Sequence, residues 1–277
     1  MSSLTLPDGR TLAYADCGAP DGTPVIFHHG TPGSRLFAAL LDDSVSEAGV
    51  RVVVPDRPGY GRSDPVDPVE ASLADGRADV EALADHLGFD SFGVAGFSGG
   101  GPFALACGDL NRVDRVALVS ALVPGADTGV FGALATRASP VLGPFFRASD
   151  ALAGVAPDIV AGQYTDRDVS DEVRKAVARD FREGFHRGPS AAIRENRLFA
   201  KATPFGPDAT IGAWHGTDDA NAPLARSRVS LVCSNADFCW RPRSRSLRSR
   251  SLRGQQKSAS KTARSPSKAA RSRRNCS

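Results

Sequence analysis

Between residues 23 and 123 the chain alternates short, almost uninterrupted apolar runs with segments of helical spacing. No other feature restricts the fold so strongly. Residues 25–27, 50–54, 92–95 and 116–123 read as strands with no polar face. Residues 35–48, 73–87 and 100–107 read as helices between them. A strand that is apolar on both faces must be covered on both faces, and a helical crossover makes successive strands parallel. The expected fold class is therefore α/β, with a doubly wound, mostly parallel sheet. Ser34 and Ser72 stand where N-caps are needed, and Gly88 stands at a C′ position. Ahead of the alternation, residues 4–6 and 11–15 flank Pro7-Asp8-Gly9 and predict a hairpin.

The alternation stops at Pro124. From there to Pro207 the spacing is helical but interrupted by prolines at 140, 144, 157, 189, 204 and 207, and 171–185 has the clearest helical period. An insertion of this kind belongs over the ends of the sheet. Thr210–Trp214 resumes the strand pattern and runs into His215-Gly216. The expected organisation is a first core segment 1–123, a helical insertion 124–207, a last core strand and acidic loop 208–230, and a basic Ser/Arg-rich tail 231–277. Charge marks the same change. Residues 1–225 hold 19 basic and 30 acidic side chains, a net −11, whereas residues 226–277 hold 15 basic and one acidic, a net +14. An acidic, Lys-poor surface suits a salt-adapted proteome, where screening removes self-repulsion. The last 52 residues include 13 serines and few large apolar side chains, and they are expected to be disordered. No apolar run is long enough to cross a bilayer, and the first ten residues lack the apolar core of a secretory leader. Five cysteines without a CxxC spacing fit neither a disulfide scaffold nor a zinc site, so a cytoplasmic location is expected.

Four loops carry the chemistry. Gly96-Phe97-Ser98-Gly99-Gly100 follows one strand and opens a helix. A serine on such a tight turn has its hydroxyl presented above the sheet, with Gly96 and Gly100 making room, and Ser98 is the candidate nucleophile. His28-His29-Gly30-Thr31-Pro32-Gly33 follows an earlier strand. Acyl transfer needs two N–H groups on the developing oxyanion, and the backbone amides of Thr31 and Gly99 are the candidates. Asp56-Arg57-Pro58-Gly59-Tyr60-Gly61-Arg62-Ser63-Asp64 is expected to brace the sheet end and line the pocket mouth; Ser63 lacks the GxSxG frame. In Gly216-Thr217-Asp218-Asp219-Ala220-Asn221-Ala222-Pro223, Asp219 is preferred over Asp218 as the acid that orients a histidine, the alternative being a solvated turn aspartate.

In this order the motifs resemble the α/β-hydrolase fold superfamily, in its serine branch with a helical cap, over about residues 4–225. The resemblance implies an esterase-like or amidase-like hydrolase acting on a small molecule: Ser98 attacks a carbonyl, an acyl-enzyme forms, and water releases it. Serine at this position argues against the branches that carry aspartate there. No cofactor, metal or membrane partner is expected, and no dinucleotide or P-loop glycine pattern occurs.

The resemblance also implies a histidine after the acid, and here the sequence departs from it. The five histidines are His28, His29, His86, His186 and His215, all before Asp219. Leu231–Trp240 and arginine–serine repeats stand where a last strand and its histidine loop belong. A change of reading frame near 226–232 accounts for the abrupt switch, since aspartate codons of a GC-rich gene read out of frame become arginine codons. On that reading the catalytic histidine has no assigned position and activity is impaired. A relocated base at His186 or His215 is a further reading. The alternative from another class is a non-catalytic, hydrolase-like binding module whose basic tail holds nucleic acid or another anion. The tail has no binding module and little aromatic interleaving, which counts against nucleic acid.

Overall fold

The computed structural model describes residues 2–67, 72–124, 129–137, 139–165, 167–202, 209–216 and 219. Among the described residues seven strands form one sheet: β1 Ser2–Thr5, β2 Thr11–Gly18, β3 Thr23–His28, β4 Val50–Pro55, β5 Phe92–Phe97, β6 Val113–Val119 and β7 Thr210–Trp214. Their order is β1-β2-β4-β3-β5-β6-β7. β1 and β2 are antiparallel, and β4, β3, β5, β6 and β7 run parallel. This is the α/β sheet that the apolar strands require. Ile26, Val53, Val94 and Val116 fill its centre at no more than 1% exposure, so a polar side chain at any of them would lack a partner.

Helix α1 spans Asp42–Glu47, α2 Leu73–His86 and α3 Gly101–Cys107. α2 begins in a reciprocal cap: Ser72 Oγ accepts from the Asp75 amide, and the Asp75 carboxylate accepts from the Ser72 amide. Its Val80, Leu83 and Ala84 are buried in the main core with Phe92 and Leu105. The described residues between β6 and β7 form five helices: α4 Gly129–Arg137, α5 Ser139–Val155, α6 Pro157–Ala161, α7 Asp171–Gly184 and α8 Ser190–Lys201. They have their own core, in which Phe146, Phe181 and Phe185 pack with Leu142 and Ala192. No helix of the described residues is long and apolar enough to cross a membrane.

Two elements differ from the sequence expectation. The segment 35–48 is not one helix but a 3-10 helix, Arg35–Leu40, followed by α1. Its first turn is fastened sideways, because the Asp56 carboxylate accepts from both the Arg35 amide (2.6 Å) and its guanidinium (2.7 Å). Asp42 and Asp43 then start a fresh helix, where a negative charge is favourable. β6 spans Val113–Val119 rather than 116–123. Ser120 takes φ +43°, a left-handed conformation that turns the chain out of the sheet, and its amide donates to the Trp214 carbonyl (2.8 Å). The expected tail 231–277, Pro204, Pro207 and Asp218 lie outside the described residues.

Candidate active site

β5 ends at Phe97, and Ser98 follows with φ +50°. A non-glycine residue in that region stores backbone strain, of the order of 1–3 kcal/mol, which the surroundings must hold in place. Here they do. The Ser98 carbonyl accepts from the Leu122 amide (2.9 Å), and the chain continues as a 3-10 turn, Ser98–Gly100, into α3. A Cβ on Gly96 would lie 2.6 Å from the Gly100 carbonyl oxygen, and one on Gly100 would lie 2.2 Å from that of His28. The turn can form only because both positions lack side chains.

The turn after β3 lies directly against it. A Cβ on Gly99 would lie 2.2 Å from Thr31 Oγ1 and 3.2 Å from the Thr31 amide nitrogen. The two amides singled out from the sequence are thus brought to one place, beside a half-buried Ser98. His29 is fully buried and belongs to the turn: Nδ1–H donates to the Gly30 carbonyl (2.8 Å), which leaves Nε2 to accept from the Arg57 amide (3.3 Å). Burial, with the Arg57 charge beside it, holds His29 well below the usual histidine range and His28 down to about 3. His86 is exposed, edge-on to Tyr14, and His186 is exposed in the turn after α7. Phe97 stacks on Phe37 at 5.2 Å and lies 6.1 Å from Tyr164, so its ring meets one ring from the turn after β3 and one from the insertion.

The loop 56–64 braces the first strands. Asp56 also accepts from the Arg62 amide (2.9 Å), Ser63 Oγ accepts from the Ala13 amide (2.9 Å), and Asp64 accepts from the Thr11 amide (2.8 Å). Ser63 is buried in that role. Three carboxylates of the inserted helices grip this region, and the sequence reading missed all three. Glu195 meets Arg57, Asp180 meets Ser34, and Glu183 meets Arg35 (2.8 Å) and Arg62 (3.1 Å). One signal was available: Glu195 lies four residues after Ala191 and four before Phe199, on the apolar stripe of α8.

Asp180 carries a pH dependence. Its Oδ1 accepts from the Ser34 amide (2.9 Å) and hydroxyl (2.7 Å), with no cation beside it among the hydrogen-bond partners. Burial pushes its carboxyl from 3.8 up to about 7, the Ser34 hydrogen bonds opposing and the Asp56 charge adding. The folded protein then keeps this proton up to about pH 7, whereas the unfolded chain loses it near pH 4. The stabilisation is complete below the unfolded value and is lost as pH rises through the folded one. The stability of the protein relative to Asp180→Asn should therefore fall by a few kcal/mol, as an order of magnitude, between about pH 4 and 7. Urea denaturation of both proteins at several pH values checks this, and a constant difference counts against it.

Asp219 is placed beside a histidine, but an earlier one. Its Oδ2 lies 3.4 Å from His215 Nε2, and both side chains are largely buried. Phe97 pairs in register with Val119, and Val119 with Trp214. Ser98, Ser120 and His215 are therefore the next residues at three adjacent strand ends, which sets Ser98 and His215 two strand spacings apart, about 10 Å.

The sheet order, the strained serine between β5 and α3, and the facing turn after β3 define a hydrolase-type α/β fold. The family model of the alpha/beta hydrolase fold matches residues 23–252, and the chain belongs to that family. The match continues past residue 225 into the basic segment. Proline iminopeptidase of Xanthomonas citri is 39% identical over 107 residues, covering 38% of this chain and 34% of that protein. Non-heme chloroperoxidase of Streptomyces lividans is 39% identical over 131 residues, 45% of this chain and 46% of that protein. The chain thus spans less than half the length of these relatives. An esterase from Exiguobacterium antarcticum shares the fold with a TM-score of 0.61 at 17% identity, covering 81% of this chain and 84% of the esterase. The enol-lactonase of Burkholderia xenovorans does so with a TM-score of 0.58 at 18% identity, over 81% and 85%.

Proposed function

We propose that the chain derives from a serine hydrolase acting on an ester or amide of a small molecule, and that its turnover is impaired. Ser98 Oγ attacks the carbonyl carbon, the bond to the leaving group breaks, and the serine proton passes by way of a base to the leaving group. Water then repeats the exchange on the acyl-enzyme. The Thr31 and Gly99 amides receive the oxyanion, and Asp219 is the acid. The observation that carries this reading is Ser98 at φ +50°, with Gly99 packed against Thr31. The insertion serves as the cap. Hydrolase names among the relatives and the esterase among the structural neighbours agree with it.

Impairment follows from the base. Residues 220–277 contain no histidine, and loss of a triad base leaves only the modest rate supplied by the oxyanion site and binding. A second reading rests on the His215–Asp219 pair: His215 replaces the missing base, oriented by the aspartate. Turnover of p-nitrophenyl acetate separates them. The impaired reading expects the 277-residue chain, Ser98→Ala and His215→Gln to differ by less than about tenfold. A relocated base expects the parent to exceed both variants by roughly a hundredfold or more. A large rate that survives Ser98→Ala removes the serine reading altogether.

A further inference from the structure

Inside the molecule, one charged cluster joins the inserted helices to the turn after β3. Glu195 of α8 and Arg57 are both buried, at 0% and 2% exposure. They meet through two parallel bonds, Nε to Oε1 at 2.7 Å and Nη2 to Oε2 at 2.8 Å. The guanidinium also donates to the carbonyls of His29 (through Nη1) and Gly30 (3.0 Å) and to Thr31 Oγ1 (3.0 Å). Thr31 Oγ1 in turn donates to Glu195 Oε2 (2.6 Å), and the Tyr60 hydroxyl donates to the same oxygen (2.9 Å). Phe103 and Tyr60 rings pack against the guanidinium at 4.8 and 5.3 Å, which keeps water out.

This arrangement has a directional effect. The Gly30–Thr31 peptide is trans. Across a trans peptide the C=O and N–H point opposite ways. Fixing the Gly30 oxygen on Arg57 therefore aims the Thr31 N–H away from the guanidinium, and Gly99 lies against that nitrogen. A buried guanidinium would stay in this orientation only with a carboxylate opposite it, and that carboxylate comes from the insertion.

We propose that Glu195 is a positioning residue for the oxyanion-binding amide of Thr31, acting through Arg57 and the Thr31 hydroxyl, so that the insertion completes the transition-state site. This rests on the serine-hydrolase reading for its catalytic meaning. The geometric part stands without it. A simple fastener between two layers would affect stability alone; a positioning residue must also affect the rate at saturating substrate.

Acylation of Ser98 by p-nitrophenyl acetate, followed by intact mass with imidazole added as external base, gives a limiting rate and a half-saturating concentration. Glu195→Gln, close in shape, should lower the limiting rate by about a hundredfold and leave half-saturation within a few-fold, as loss of one oxyanion donor does. Thr31→Val, which removes only the hydroxyl between Glu195 and Arg57, should act in the same direction if Glu195→Gln does not fold. Unchanged limiting rates, or a change confined to half-saturation, overturn the proposal. Crystal structures of the parent and the variants give the second measurement, which needs no chemistry. The Gly30 carbonyl should leave Arg57 and the Thr31 nitrogen should move by about 1 Å, a displacement that costs on the order of a hundredfold in rate. If the parent is not acylated at Ser98, the serine reading fails and the crystal structures decide alone: a displaced turn upholds the geometric claim, and a superimposable one overturns it.

Discussion

Exchange of Arg57 for alanine should lower the unfolding free energy by roughly 3–5 kcal/mol, the range found when one member of a buried ion pair is removed. Glu195 is wholly buried, and without the guanidinium its charge would face only the hydroxyls of Thr31 and Tyr60. The carbonyls of His29 and Gly30 would lose their donor as well, and an unsatisfied buried acceptor costs about 1–3 kcal/mol. The attraction within the pair is not itself the source of this loss, because much of it is offset by taking both ions out of water. The double variant Arg57→Met with Glu195→Leu should therefore recover only the part due to the stranded carboxylate, because the carbonyls of His29 and Gly30 stay without a donor. Urea denaturation of the two proteins measures it. If the single variant loses less than about 1 kcal/mol, Glu195 is not an isolated buried charge and the electrostatic account is wrong.

Gly100→Ala is the second large effect. The added methyl would meet the carbonyl oxygens of His28 at 2.2 Å and His29 at 2.7 Å, both main-chain atoms. The His29 oxygen is tied to Arg57 and the His28 residue ends β3 inside the sheet, so neither has room to yield. A loss of about 3 kcal/mol or more, or failure to fold, is the expected result. Thermal melts of Gly100→Ala and the parent test this, and similar melting temperatures would contradict the steric argument.

Sheet and elbow were legible because their signals are local. Apolar runs such as 50–54 and 92–95 state their burial directly, and Gly96, Ser98 and Gly100 stand within five residues of one another. The facing turn was legible for the same reason, as His28 to Gly33 is a single uninterrupted motif. What lay hidden is tertiary. Arg57 and Glu195 are 138 positions apart, and only the fold brings a carboxylate of α8 to that guanidinium. The break in 35–48 was hidden likewise, since it depends on Asp56 pulling Arg35 aside. The end of β6 depends on Ser120 adopting a conformation that serine adopts rarely, and nothing nearby in sequence requires it. Asp219 was singled out as the acid that orients a histidine, and the histidine beside it is His215, four positions before it rather than beyond it.

The ion pair between α8 and the loop after β4 limits how this molecule can be rebuilt. Helical lids are attractive units for grafting because they arrive as one contiguous stretch of gene. Here a foreign helical insertion would also have to deliver a carboxylate to the guanidinium of Arg57, or it would leave a bare buried cation between Tyr60 and Phe103. Chimeras that keep residue 57 as arginine should thus survive only with donors that carry an acid at the equivalent of 195, and libraries should diversify the two codons jointly.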